Sequence, residues 1–204
     1  MADLSRSMQT TRGAGSMRMV ARLASAAARS ALKAGDSFGF LGFSEGLHDE
    51  FCLAPSRSWG PVAELLERLE VLQPPGRSAA GILDLVSKLP DRRSLIVLVS
   101  DFLMPVQLLE QALETFAGHD VAPVVLHNRR EQDLPLSGIV RLQDSETGRR
   151  RLLLMRPSLR RRWHEARGKW RMSLDSCFLR HCRPGFHVEA ELDLAQLGEH
   201  LLAG

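Results

Sequence analysis

The sequence predicts an α/β fold: a doubly wound, mostly parallel sheet with helices on both faces. Three observations carry this. Short apolar runs alternate with amphipathic stretches along most of the chain. One run, Leu95 to Ser100 (LIVLVS), is so uniformly apolar that only a strand buried on both faces suits it. Glycine and proline clusters punctuate the boundaries between runs. With 204 residues, the chain is sized for a single domain spanning 1–204.

The first helix is read from Ser16 to Ala34, where Met17, Val20, Leu23, Ala24, Ala27, Ala31 and Ala34 recur at helical spacing and Gly35 is placed to end it. Phe38 to Phe43 (FGFLGF) follows as a buried strand, and His48 to Leu53 returns as a second one after a tight turn. Pro61 opens a helix to about Leu72, since proline is tolerated in a first turn and Val62, Leu65, Leu66 and Leu69 share a face. After the breaker Gln73 to Ser78, a helix is expected over Ala79 to Leu89, then the central strand ending at Asp101. A helix over Val106 to Ala117 and a strand over Val121 to Leu126 complete the alternation.

Beyond this the pattern changes. Ile139 to Gln143 and Arg151 to Met155 read as a hairpin joined by Asp144 to Gly148. From Ser158 a long helix places Leu159, Trp163, Ala166, Trp170, Leu174, Cys177, Phe178 and His181 on one stripe, which predicts that both tryptophans face the sheet. Phe186 to Leu192 is expected as a last strand and Asp193 to Leu202 as a closing helix capped by Asp193.

Composition excludes several classes. Hydrophobic residues at 44% and charged residues at 25% belong to a globular protein, not a disordered one. A net charge of +3 does not by itself demand a nucleic-acid partner. The three cysteines show no CxxC pairing, so neither a disulfide framework nor a zinc site is indicated, and a reducing cytoplasm is expected. No stretch approaches the roughly 20 apolar residues a membrane span requires.

The residues that carry chemistry begin at the N-terminus. Asp3-Leu4-Ser5-Arg6-Ser7 has the pattern DxSxS, and in a loop after a strand it aims one carboxylate and two hydroxyls at one point. Such hard oxygen donors suit Mg²⁺, Mn²⁺ or Ca²⁺. Asp101 ends the central strand, at the edge where open α/β sheets hold their ligands. Ser78, before a helix, can bring another hydroxyl to the same edge. Each has an ordinary alternative as a helix cap or tail residue.

Taken together, Asp3, Ser5, Ser7, Ser78 and Asp101 resemble, in order and approximate spacing, the metal-ion-dependent adhesion site of von Willebrand factor A-type domains. The chain is most similar to a bacterial branch, domain-of-unknown-function family fifty-eight, often encoded beside MoxR-type AAA+ ATPases. Gly35 to Leu41, Ser94 to Phe102 and Asp144 to Gly148 support the likeness. The resemblance implies a non-enzymatic module whose cation, Mg²⁺ first among candidates, is held by those five residues and bridges to a partner's carboxylate. It also implies a partner such as a MoxR-type AAA+ ATPase or its client.

Two departures stand out. Ser78 stands where the family has threonine, losing a methyl that stiffens χ1. Only Met1 and Ala2 precede Asp3, where the family has an apolar central strand, so that strand is expected to be missing and the domain incomplete at its N-terminus. Unpaired backbone in two neighbouring strands would then weaken folding, and a sharp two-state melt of the chain would defeat the expectation.

Two rival functions come from the same residues. Oxygen-ligated Mg²⁺ also serves phosphoryl transfer, but there is no GxxxxGK[ST] loop, GxSxG elbow or HExxH helix. His119, His127, His181 and His187 are scattered and read as turn, loop or helix residues. Nucleic-acid binding is the other rival: Arg149 to Arg183 holds eleven arginines and one lysine against Glu165 and Asp175. A charge run is more commonly a solvated face, and these arginines can instead steer an acidic partner.

Overall fold

The computed structural model describes residues 1–8, 16–74, 76–127, 138–143, 150–189 and 191–203. Its elements are β1 (Ala2–Asp3), α1 (Ser16–Lys33), β2 (Phe38–Phe43), β3 (Leu47–Ser56), α2 (Trp59–Val71), a 3₁₀ helix (Ala80–Lys88) and β4 (Leu95–Ser100). These are followed by α3 (Val106–Thr115), β5 (Asp120–Leu126), β6 (Gly138–Gln143), β7 (Arg150–Met155), α4 (Pro157–His181), β8 (Phe186–Val188) and α5 (Leu194–Ala203). The six-stranded sheet has the order β3-β2-β1-β4-β5-β8, and β6 and β7 form a separate hairpin. All sheet pairings are parallel except β2 with β3. The doubly wound α/β class expected from the sequence is the class observed.

One expectation about this sheet is corrected. The central strand is not missing: β1 sits between β2 and β4, with Ala2 opposite both Gly42 and Val99 and Asp3 opposite Phe43. The Met1 amino group donates to the Val97 carbonyl at 2.9 Å, and burial pushes that ammonium down to about 5, so it is neutral at pH 7. A strand of two residues carries no periodic signal in sequence, which is why it escaped.

The core lies on both faces of the sheet. On one face, Val20, Ala24, Leu65, Leu69 and Leu197 from α1, α2 and α5 cover Leu4, Phe40, Val99 and Val124. On the other, Ile82, Leu85, Leu109, Leu113, Leu174 and Phe178 cover Phe43, Leu98, Val121 and Val125. Asp193 caps α5 as expected, its Oδ1 accepting from Ala195 N at 2.9 Å and Gln196 N at 3.2 Å.

Two further expectations change. The segment after Ser78 is a 3₁₀ helix rather than an α-helix: Gly81 N is spent on the Ser44 carbonyl, and Ile82 N reaches back only to Ala79. The apolar stripe of α4 is buried only at Leu174, Cys177 and Phe178; Trp170 is half-buried and packs against the same core, as expected, while Trp163 is half-buried and Ala166 is exposed. Geometry explains this, because a helix of 25 residues spans about 37 Å, whereas the six residues of β4 cover about 20 Å. The N-terminal half of α4 therefore overhangs the sheet edge. Asp144 to Gly148, expected to join the hairpin, lies outside the described residues.

Candidate functional site

The C-terminal ends of β1, β2, β4 and β5 share one edge of the sheet, and the sequence-predicted residues gather there. Asp3 ends β1 and is 1% exposed. Its Oδ1 accepts from the Ser5 amide at 2.8 Å and its Oδ2 accepts from the Ser100 hydroxyl at 2.7 Å. Burial raises the pKa of this carboxyl, partly offset by the hydrogen bonds from Ser5 and Ser100. Among the described residues Asp3 forms no ion pair.

The Ser5 and Ser7 hydroxyls lie 3.0 Å apart, so DxSxS does bring its three oxygen-bearing side chains to one place. The loop bearing Ser78 is pinned beside them. Gly76 pairs with Ser5 across an isolated parallel bridge, and Arg6 N donates to the Gly76 carbonyl at 2.7 Å. That approach requires glycine, since a Cβ at residue 76 would lie 2.2 Å from the Ser44 side chain. Ser78, two residues on, is half-buried, and its hydroxyl makes no hydrogen bond among the described residues.

Asp101 follows Ser100 directly and is 7% exposed, with Oδ1 accepting from Leu103 N at 3.1 Å. It does not cap α3, whose N-cap is Pro105. The next residue is strained: Phe102 has a φ of 52°, a region costly for a bulky side chain, and is held there from two sides. Its ring packs edge-on against Phe178 with centroids 5.2 Å apart, and its amide donates to Ser100 Oγ at 2.9 Å. Ser100 thus links the strained turn to Asp3, a role the sequence reading missed although the residue occupies the same strand end as Asp101.

A cavity of about 320 Å³ opens beside Asp101, bounded by His127 at the end of β5 and by Trp163, Ala166, Arg167 and Trp170 of α4. His127 was also missed as a site residue. Its Nε2 lies 2.8 Å from His187 Nδ1, and His187 Nε2 lies 2.8 Å from Asp175 Oδ1. Burial, followed by the positive neighbours His187, Arg167 and Arg171, pushes His127 down to about 4, so its ring is neutral at pH 7.

The donor set fits a hard cation. Carboxylate and hydroxyl oxygens are the ligands Mg²⁺ and Ca²⁺ take, and a buried carboxylate whose neighbours are an amide and a hydroxyl lacks the positive charge a divalent ion supplies. Among the described residues no group of three or more His, Cys, Asp or Glu side chains gathers that could hold a metal ion, so any such site here would draw on hydroxyl oxygens as well.

The DUF58 family, "Protein of unknown function DUF58", matches residues 1–172. The chain belongs to that family. Among solved structures, the DUF58 chain is similar to the conserved hypothetical protein BatB of Bacteroides thetaiotaomicron, at 13% identity with a TM-score of 0.54, covering 99% of this chain and 95% of that one. It is also similar to an aerotolerance-related membrane protein of Bacteroides fragilis carrying multiple mutations to serines, at 15% identity, TM-score 0.52 and coverage of 99% and 94%. At these identities the likeness is one of fold. No curated protein matches the chain. No helix among the described residues is long and apolar enough to cross a membrane.

Proposed function

We propose that this DUF58 chain is a metal-dependent protein-binding module of von Willebrand factor A type, without catalytic activity of its own. The observation that carries the reading is Asp3: a carboxylate buried at the C-terminal edge of a parallel sheet, oriented through both oxygens by Ser5 and Ser100, with two more hydroxyls at hand and no ion pair among the described residues. Asp3, Ser5 and Ser7 hold Mg²⁺ in this reading, and Ser78 and Asp101 complete the shell directly or through water. The cation contributes a Lewis-acidic position that accepts a carboxylate from the partner. A MoxR-type AAA+ ATPase or its client is the partner, in a maturation or assembly role.

Isothermal titration of the purified chain with MgCl₂, followed by capture of the MoxR-type ATPase with and without EDTA, tests this. Mg²⁺ binding and EDTA-sensitive capture are expected, both lost in Asp3→Ala. Capture that ignores EDTA and Asp3→Ala would refute the mechanism.

A further inference from the structure

Two tryptophans half-buried on one helix face usually mean a core contact; here Trp170 packs against the core, Trp163 stands about two turns further out along α4, and both wall a cavity. Aromatic side chains at the rim of a concave site are the residues that anchor protein interfaces, presenting large apolar area at small entropic cost. At about 320 Å³ the cavity is at the small end of ligand pockets, which run from about 300 to 1,000 Å³. That size suits a side chain or two rather than a nucleotide or cofactor. Trp170 also meets the His127 ring edge-on, at 6.3 Å between centroids, so the wall is ordered by the same histidine that lines the cavity.

The position says what enters. Asp101 belongs both to the cavity and to the proposed ion shell, so whatever fills the pocket is adjacent to the carboxylate that the cation would take. The charge of the rim says the same. Arg156, Arg161, Arg162 and Lys169 are exposed along α4, and Arg167 reaches into the cavity. Among the described residues of this region, Glu165 pairs with Arg161 at 3.7 Å, Glu189 with Arg171 at 2.9 Å, and Asp175 with His187. Apart from Asp101, whose charge the proposed cation would answer, the described rim of the cavity is therefore positive, which suits an acidic segment carrying one large apolar residue.

We propose that the cavity beside Asp101 is the specificity pocket of the interface: it takes an aromatic or leucine side chain adjacent to the metal-bridging carboxylate of an acidic partner segment. This rests on the metal-bridge reading above and names the partner's local chemistry.

The probe is a phage-displayed library of random dodecapeptides, selected on the immobilised full chain in Mg²⁺. Enriched peptides are expected to pair an acidic residue with a neighbouring aromatic or leucine. A synthetic peptide of that type should bind at least about tenfold tighter than its counterpart with serine at the apolar position. Trp170→Ala should abolish that ratio. So should Ala166→Phe, which fills the cavity from an exposed helix position and leaves the core untouched; both variants should keep the preference for acidic peptides. Mg²⁺-dependent acidic peptides with no apolar bias would overturn the pocket while leaving the metal reading intact. Apolar-biased binding that survives EDTA and Asp3→Ala would keep the pocket and refute the metal reading. No enrichment at all would overturn the proposal.

Discussion

Asp3 and Asp120 are the same residue at opposite edges of one sheet, and their surroundings treat them in opposite ways. Asp120 opens β5 and is gripped through both oxygens by the Arg183 guanidinium, which also donates to the Leu201 carbonyl at 2.6 Å. The hydrogen bond from Arg183 holds its carboxyl below the ordinary range, and Asp120 in turn raises Arg183. Asp3 has no such partner, and burial raises it. One charge is answered inside the chain and ties the start of a strand to the C-terminal helix. The other meets no cationic side chain among the described residues, which separates a structural carboxylate from a candidate functional one.

The largest expected effect breaks this contrast at Asp3. At a hundredfold excess over Kd, Mg²⁺ should stabilise the wild-type chain by about 2.7 kcal/mol, and Asp3→Asn should show no response in a thermal melt with and without MgCl₂. Without metal, the same variant should melt no lower than wild type at neutral pH, because it removes a buried charge. The sign follows from the raised pKa: folded Asp3 holds its proton more tightly than the unfolded chain, so its contribution to stability falls as pH rises from the ordinary 3.8 through the folded value. Asparagine removes that fall.

Next in size is Arg183→Met, which should cost about 2 kcal/mol in urea unfolding by stranding Asp120, with the Mg²⁺ response unchanged. Asp120 carries the opposite pH signature to Asp3, since its stabilising share is present above 3.8 and fades as pH falls through its lowered value. The variant should flatten that acid limb. Smaller again is His127→Gln. Folded His127 titrates at about 4 against an ordinary 6.5, so wild-type stability should decline as pH drops from 6.5 to 4, and less steeply in the variant. The smallest effect is Ser78→Ala, expected to weaken Mg²⁺ binding several-fold by calorimetry while changing stability by no more than about 0.5 kcal/mol.

Much of the fold was legible because its elements are long enough to show a period. LIVLVS could only be a central strand, and Met17 through Ala34 could only be a helix. The failures share a cause, namely that local pattern is silent about where an element sits. Nothing in the spacing of Trp163, Trp170 and Phe178 distinguishes a tryptophan over the sheet from one beyond its edge; only the length of α4 against β4 does. Ala2–Asp3 is a strand because β2 and β4 flank it, not because of its own two residues. In the candidate site, Asp3, Ser5 and Ser7 stood out through alternation. Ser100 and His127 occupy comparable strand-end positions but belong to residue types too common there to select without coordinates.

The length of α4 lets one helix serve two purposes. Leu174, Cys177 and Phe178 are its buried anchor, with Trp170 packed against the same core, and the turns ahead of them carry Trp163 and Arg167 along the cavity wall. The anchor also touches the ring of Phe102, the strained residue immediately after Asp101. One edge-on ring contact therefore fixes the helical wall of the cavity against the turn that carries its other wall, Asp101.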